Sequence, residues 1–431
     1  MPLIVISPAT RQSGIESQTT VASQGVIVPV ALSEVLAAMS RALDLTEGRS
    51  IGHTVRTTII GMRIVHELDL PGFDRAALYA ALLLKDSGSS GSSTVAEVLG
   101  VSESSSGSGT LRSRLVSLLG RSDSSPGAVR HALARAERGE SMALRMGFST
   151  ATADAIRHID EHWDGTGIPD GRVGHEIPLF SRIILLSQTL DAFYTQWGVV
   201  PAMRMARERS GLWFDPALAR IARGWREETE WWEALQSPDA TAMALALEPQ
   251  QHTRYVDDKA LDDVARAFAE IIDAKSAYTW HHSTNVAKYA RATAFDLGFE
   301  KREVAVINRA ALLHDVGKLG VSSRILDKAG PMTPEDREEM QRHPLFTWEI
   351  LQRVGAFSAF ARTAALHHEK LDGSGYPWGV KAEELDLSAR VLCVADMYEA
   401  LTANRPYRAG LSRDATLKII RAGSGKQVCA V

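Results

Sequence analysis

Ala311-Leu-Leu-His-Asp-Val-Gly317 closes a helical pattern in which Val304, Ile307, Ala311 and Leu312 share one stripe. A His-Asp pair therefore stands where an amphipathic helix gives way to a glycine. The pattern extends upstream. Between Lys259 and Lys275, apolar residues fall at Leu261, Val264, Ala265, Phe268, Ile271 and Ile272, and Val286, Tyr289, Ala290 and Thr293 repeat the spacing. Strand-like alternation bounded by turn pairs is hard to find, so the chain reads as all-α.

The same stretch reveals a repeat. Leu82-Leu-Leu-Lys-Asp-Ser-Gly88 resembles it at an offset of 229 residues, and that offset also sets His282-Ser283 against His53-Thr54. Further on, Asp372-Gly-Ser-Gly-Tyr-Pro377 resembles Asp164-Gly-Thr-Gly-Ile-Pro169 at an offset of 208, which carries Arg390 onto Arg182. The difference between 229 and 208 assigns 21 extra residues to the first copy, between its two blocks. They fall in a Ser/Gly-rich insertion at about 87–126, whose composition reads as a flexible loop. Two tandem helical bundles are expected, one over 30–245 and one over 256–431. The copies meet near Ser237 to Asp258, where Pro238 and Pro249 interrupt the pattern, and Trp225, Trp231 and Trp232 just before it are expected to pack between them.

Composition narrows the function. The 431 residues are 45% apolar and 23% charged, enough for more than one buried core. Lys+Arg total 48 against 52 Asp+Glu, a net charge of -4 that argues against direct nucleic-acid binding or coating an anionic membrane. Two cysteines, Cys393 and Cys429, cannot build a disulfide framework or an all-cysteine zinc site. The N-terminal MPLIVISPATRQSG lacks the basic flank and long apolar core of a secretory signal, and no apolar run is long enough to span a bilayer. A cytoplasmic, reducing location is expected.

The second copy concentrates metal-ligand chemistry. His282, His314-Asp315, His343, His367-His368 and Asp396 follow one another, and imidazole with carboxylate suits Mn, Fe or Zn. A lone histidine is more often a hydrogen-bonded core residue, but an ordered set beside a Gly-rich turn is a different matter. Lys318, three residues past the doublet, has donors only and suits a phosphate oxygen. Arg405 and Arg408 follow Asp396 by 9 and 12 residues and suit bidentate phosphate contacts. Each alone would be a solvated surface charge; beside a metal cluster they point to an anionic phosphorus substrate.

His314-Asp-Val-Gly-Lys318, His367-His-Glu-Lys-Leu-Asp-Gly-Ser-Gly-Tyr-Pro377 and Asp396…Leu401-Thr…Arg405-Pro-Tyr-Arg408 resemble the HD-GYP subgroup of the HD-superfamily phosphohydrolases, over about Leu261 to Leu417. The resemblance implies a bacterial phosphodiesterase that hydrolyses cyclic di-GMP to pGpG or GMP, with another cyclic dinucleotide or nucleotide, or a non-catalytic binding module, as the alternatives. It implies His282, His314, Asp315, His343, His367, His368 and Asp396 as metal ligands, with His314, Asp315 and Lys318 as the catalytic group. Lys318, Arg405 and Arg408 would contact substrate phosphate, and Gly375-Tyr376-Pro377 would form a loop for substrate access or for docking a cyclase-domain partner. Tyr278 stands where some members carry a Glu that helps hold a third ion, so two divalent ions, Fe or Mn, are expected. The implied chemistry is in-line attack of a metal-activated water on phosphorus.

The first copy departs from this pattern. His53 survives, but Lys85 stands for His314, Ile159 and Asp160 for His367 and His368, Gln188 for Asp396, and Ser89 for Lys318. A cation in the pocket repels metal and is expected to pair with Asp86, so this copy resembles a degenerate domain with a scaffold, dimerisation or sensing role. His158 and His162, four apart, read as a turn-supporting or solvated pair rather than a zinc site. Similar domains continue with further helix beyond the segment matching Ala415 to Ile420, so the end at Val431 reads as a C-terminal truncation. A two-fold homodimer is the general expectation.

Overall fold

The computed structural model describes residues 31–46, 50–88, 126–274, 281–321, 323–326, 328, 330–404 and 409–429. Among them the named elements are all helices, and β pairing is confined to isolated bridges. In the first half these are α1 (Leu32–Thr46), α2 (His53–Glu67), α3 (Gly72–Leu84), α4 (Pro126–Arg145), α5 (Thr150–Arg157), α6 (Leu179–Trp197), α7 (Val199–Glu208), α8 (Pro216–Arg223), α9 (Thr229–Ala234) and α10 (Ala240–Ala246). The second half holds α11 (Asp258–Ala274), α12 (His282–Asp296), α13 (Lys301–Leu313), α14 (Ser323–Leu326), α15 (Pro334–Met340), α16 (His343–Leu351), α17 (Ser358–Ala365), α18 (Leu387–Thr402) and α19 (Arg413–Ala422).

The sequence offsets recur in the helices. Adding 229 to the bounds of α2 and α3 gives those of α12 and α13, and adding 208 to those of α5 gives α17. A third offset, 214, carries α7 onto α19, so the starts of the last two matching helices, α18 and α19, lie six residues further apart than those of α6 and α7. There Gly198 alone joins α6 to α7, whereas residues 403–412 join α18 to α19. That longer connection holds Arg405 and Arg408, which lie outside the described residues, as do Tyr278 and 89–125 of the Ser/Gly-rich insertion.

Local chemistry explains where the helices start. Ser149 accepts from the Thr152 N–H at 3.1 Å, Asp386 from Ala389 at 2.7 Å and Ser412 from Ala415 at 3.3 Å, each satisfying a donor that has no partner within its own helix. The stripe on α11 is buried throughout, from Leu261 to Ile272. On α12 Val286 and Ala290 are buried but Thr293 is exposed, so that stripe is narrower than expected.

One apolar cluster runs through both halves. Helix α1 packs on α2 and α3 of its own copy, and also against the Val316–Gly320 turn and α16 of the second. The link between the copies returns past its start, where the Leu32 N–H donates to the Arg254 carbonyl at 2.7 Å. The tryptophans differ from expectation. Trp225 and Trp231 stack on the Arg63 guanidinium at 4.4 and 4.3 Å, and Trp232 packs on Tyr194 with ring centroids 4.8 Å apart. They fill the first copy itself rather than a seam between copies, because α2 and α6 offer them a cation and an aromatic face.

Candidate metal centre

His314 caps the end of α13 and Asp315 opens the following 3-10 turn, Val316–Gly320. That turn lies hard against α16: a Cβ on Gly317 would stand 1.9 Å from the His343 carbonyl oxygen, so only glycine fits. Thr347 fastens the contact, accepting from the Gly317 N–H at 3.0 Å and donating to the His314 carbonyl at 2.8 Å. Helix α16 thereby presents His343, the end of α17 leads into His367 and His368, α12 opens with His282, and α18 carries Asp396.

These side chains converge on Asp315. Its two oxygens lie 3.4 Å from His282 Nε2, 3.3 Å from His314 Nε2, 3.3 Å from His343 Nε2 and 3.6 Å from His367 Nε2. Asp396 closes the other side, 3.3 Å from His282 Nε2 and 3.7 Å from His368 Nδ1. All seven residues expected to be ligands are thus gathered. His343, His367 and His368 can share one ion, as can His282, His314 and Asp315.

The hydrogen bonds show which nitrogens are free for a cation. Nδ1 of His314, His343 and His367 each lies 2.7 Å from the carbonyl three residues back, at Ala311, Met340 and Ala364. A carbonyl only accepts, so in each neutral ring Nδ1 carries the proton and Nε2 keeps its lone pair. Two of those lone pairs face each other, His343 Nε2 and His367 Nε2, at 3.1 Å. His314 Nε2 and Asp315 Oδ1 are buried without a hydrogen-bond partner. Orphaned acceptors crowded in a dry pocket are costly unless a cation joins them, and imidazole with carboxylate is a donor set that suits one.

Electrostatics points the same way for His367 and His368, though not for His282. Burial, reinforced by the neighbouring imidazoles, pulls His367 well below its ordinary pKa, and burial takes His368 down to about 3, so both stay neutral. Against the upward push of burial, His314 and Lys318 hold Asp315 well below the usual carboxylate range. Burial lowers His282 but its contacts with Asp315, Asp396 and Glu399 outweigh it and raise it well above the ordinary value. Lys318 Nζ lies 2.5 Å from Asp315 Oδ2 at the rim. Tyr376 flanks the centre, its ring 4.8 Å from that of His368, while Glu369 holds the loop by accepting from the Trp378 and Gly379 N–H groups at 2.7 and 3.0 Å.

Two buried acids were not anticipated. Glu399 Oε2 lies 2.5 Å from His282 Nδ1, and Asp273 accepts from the Ser283 hydroxyl at 2.7 Å. The repeat held the signal: the 208 offset sets Asp191 against Glu399, and the 229 offset sets Asp44 against Asp273. In the first copy Asp191 lies 2.6 Å from His53 Nδ1, and Asp44 accepts from Thr54.

The equivalent pocket in the first copy is filled by charge pairs. Lys85, buried, bonds Asp86, and Arg135, at the place of His343, bonds Asp160, at the place of His368. Arg56 adds a bond to Asp191 at 2.6 Å. His158 bridges the Asp154 carbonyl and Asp170 at 2.9 Å each, and His162 stacks on Trp213, so the two do not share a metal-ligand geometry.

A family model for the HD domain matches residues 115–218 and 266–428, which together make up more than half of the chain. The chain belongs to the HD domain family. Over 90% of its length this HD domain protein is 36% identical to the 3'3'-cGAMP-specific phosphodiesterase 3 of Vibrio cholerae, covering 90% of that protein. A crystal structure of a cyclic GMP-AMP-specific phosphodiesterase of the same organism, V-cGAP3, superposes with a TM-score of 0.67 and 33% identity, over 93% of this chain and 95% of the other. The cyclic di-GMP phosphodiesterase response regulator RpfG of Xanthomonas campestris is 34% identical over 197 residues, 44% of this chain and 51% of its own length. No helix of the described residues is long and apolar enough to cross a membrane.

Proposed function

We propose that this chain is a metal-dependent phosphodiesterase of the HD-GYP type whose substrate is a cyclic dinucleotide of the 3'3'-cGAMP kind. The observation that carries the metal chemistry is the convergence of unprotonated Nε2 atoms and carboxylates, two of them orphaned, around Asp315. The substrate class comes from similarity. The full-length resemblance is to a 3'3'-cGAMP-specific enzyme, whereas the resemblance to the cyclic di-GMP phosphodiesterase of Xanthomonas spans less than half of the chain. This favours the alternative in the sequence reading, another cyclic dinucleotide, over cyclic di-GMP itself.

In this reading His282, His314, Asp315, His343, His367, His368 and Asp396 hold two divalent cations, with Fe or Mn the expected metals. When bound, the cations supply Lewis acidity at a phosphoryl oxygen and lower the pKa of water. The chain's own residues do the rest. Lys318, already at the rim, brings an ammonium to a phosphate oxygen, and Arg405 and Arg408 on the longer connection clamp a second phosphate. Tyr376, aligned along His368, bounds the pocket and keeps its phenol protonated, because burial and the Asp315 and Asp396 charges push its pKa upward. Residues 256–431 form the catalytic unit, and 30–245 form a non-catalytic companion whose pocket is closed by Lys85 and Arg135.

The test is turnover of 3'3'-cGAMP, cyclic di-GMP and cyclic di-AMP by protein loaded anaerobically with Fe or Mn, with products resolved by chromatography. The expected result is hydrolysis with 3'3'-cGAMP preferred, abolished in the His314→Ala/Asp315→Ala protein. Metal-loaded protein that leaves all three intact overturns the proposal.

A further inference from the structure

We propose that Glu399 is a positioning residue for the metal centre, fixing the tautomer and plane of His282; the inference rests on the metal-centre reading above. His314, His343 and His367 each have a turn of chain behind them whose carbonyl takes the Nδ1 proton. His282 is the first residue of α12, preceded by His281 in the left-handed region at φ 60°. Its Nδ1 is held by a carboxylate side chain from another helix. Glu399 supplies it across 117 residues of sequence, with Oε2 2.5 Å from Nδ1 and both side chains buried.

The remaining geometry fits that task. With Nδ1 engaged by a carboxylate, Nε2 is left toward Asp315 and Asp396, at 3.4 and 3.3 Å. Asp396 and Glu399 lie three residues apart on α18, hence on one face. One helix therefore supplies both a ligand-position carboxylate and the acceptor that aims the opposing imidazole. A carboxylate behind a metal-ligating histidine also makes the ring a stronger donor.

The first copy provides an internal contrast. His53, likewise the first residue of its helix, meets Asp191 at 2.6 Å, at the position matching Glu399. There Arg56, which matches Asn285, also binds the carboxylate at 2.6 Å and neutralises it. The pairing is common to both copies, and in the second the carboxylate faces an imidazole that is itself turned toward Asp315 and Asp396.

The experiment titrates metal-free full-length protein with Mn²⁺ against a competing fluorescent chelator, and records the visible spectrum of the Co²⁺-loaded form. Glu399→Ala is expected to weaken Mn²⁺ binding by roughly 10- to 100-fold and to alter the Co²⁺ spectrum. Glu399→Gln, which keeps an acceptor oxygen, is expected to recover most of the affinity, and Asp191→Asn to bind Mn²⁺ as the parent does. If Glu399→Ala fails to fold, Glu399→Met, which fills the volume, takes its place. Parent-like affinity in Glu399→Ala, no recovery in Glu399→Gln, or an equal loss in Asp191→Asn each overturns the proposal. A parent that binds no metal overturns the metal-centre reading instead.

Discussion

Gly317 and His343 are in backbone contact: a Cβ at 317 would sit 1.9 Å from the His343 carbonyl oxygen and 2.6 Å from the Thr347 nitrogen. The contact fixes the turn that carries His314 and Asp315 to the helix that carries His343. Gly317→Ala must push the two apart. Overpacking of this kind costs about 1–3 kcal/mol or more. The expected outcome is a lower Tm together with loss of bound metal, read by elemental analysis. Gly88→Ala, which would bring a Cβ to 2.0 Å from the Arg135 carbonyl, should lower Tm similarly while metal content stays at the parent's level.

Lys85 and Asp86 form a buried pair at the place where the other copy has His314 and Asp315. Lys85→Met removes the ammonium that pairs the buried Asp86 carboxylate, a change expected to cost about 3–5 kcal/mol. Adding Asp86→Leu removes the buried charge and should recover part of that loss. Denaturant unfolding of the single and double variants checks the order. Metal content should not change in the double variant, in which neither the His314 nor the Asp315 counterpart can bind an ion.

His162 gives the first copy a dependence on pH. Burial, opposed by Asp164 and assisted by Arg209, pulls its pKa down to about 4, against 6.5 when free. The ring is therefore neutral when folded, while the unfolded chain binds the proton first as pH falls. Stability is fully present above about 6.5 and is lost as pH drops toward 4, by at most about 3 kcal/mol. His162→Phe keeps the stack on Trp213, whose centroid lies 5.0 Å away, and removes the titration. Unfolding free energy measured between pH 4 and 7 should fall less steeply in this variant than in the parent.

Tyr376 lies along His368, with rings 35° apart and centroids at 4.8 Å. Tyr376→Ala removes an aromatic wall worth about 1 kcal/mol in a stacked contact. KM for the cyclic dinucleotide is expected to rise several-fold while Mn²⁺ stoichiometry is unchanged. Steady-state kinetics on the metal-loaded variant separates this from a loss of the centre.

Much of the structure was legible in the sequence, for a specific reason. Helical periodicity and the two offsets are local or additive signals, so α2, α3 and α5 reappear at α12, α13 and α17 with identical lengths. The histidines were visible because their residue type is chemically distinctive. Glu399 was not, because an acid on a helix is ordinarily a solvated charge and its partner lies 117 residues away. Arg135 was missed although the 208 offset sets it against His343; its close approach to Gly88 repeats that of His343 to Gly317. The tryptophans misled because composition near a junction says nothing of which side the rings turn to; Arg63 and Tyr194 decided that.

The ionic pockets of the two copies are neutralised in different ways. In the first, the compensating cations are the side chains of Lys85 and Arg135, made with the polypeptide and inseparable from it. In the second, Lys318 pairs with Asp315, and on the proposed reading the remaining compensation would be taken up from solution as divalent cations. On that reading, when divalent ions became scarce one half would keep its charge balance while the other would be left with the facing His343 and His367 lone pairs. Because α1 of the self-sufficient half packs directly on the turn that follows Asp315 and carries Lys318, an emptied centre would still be braced from outside.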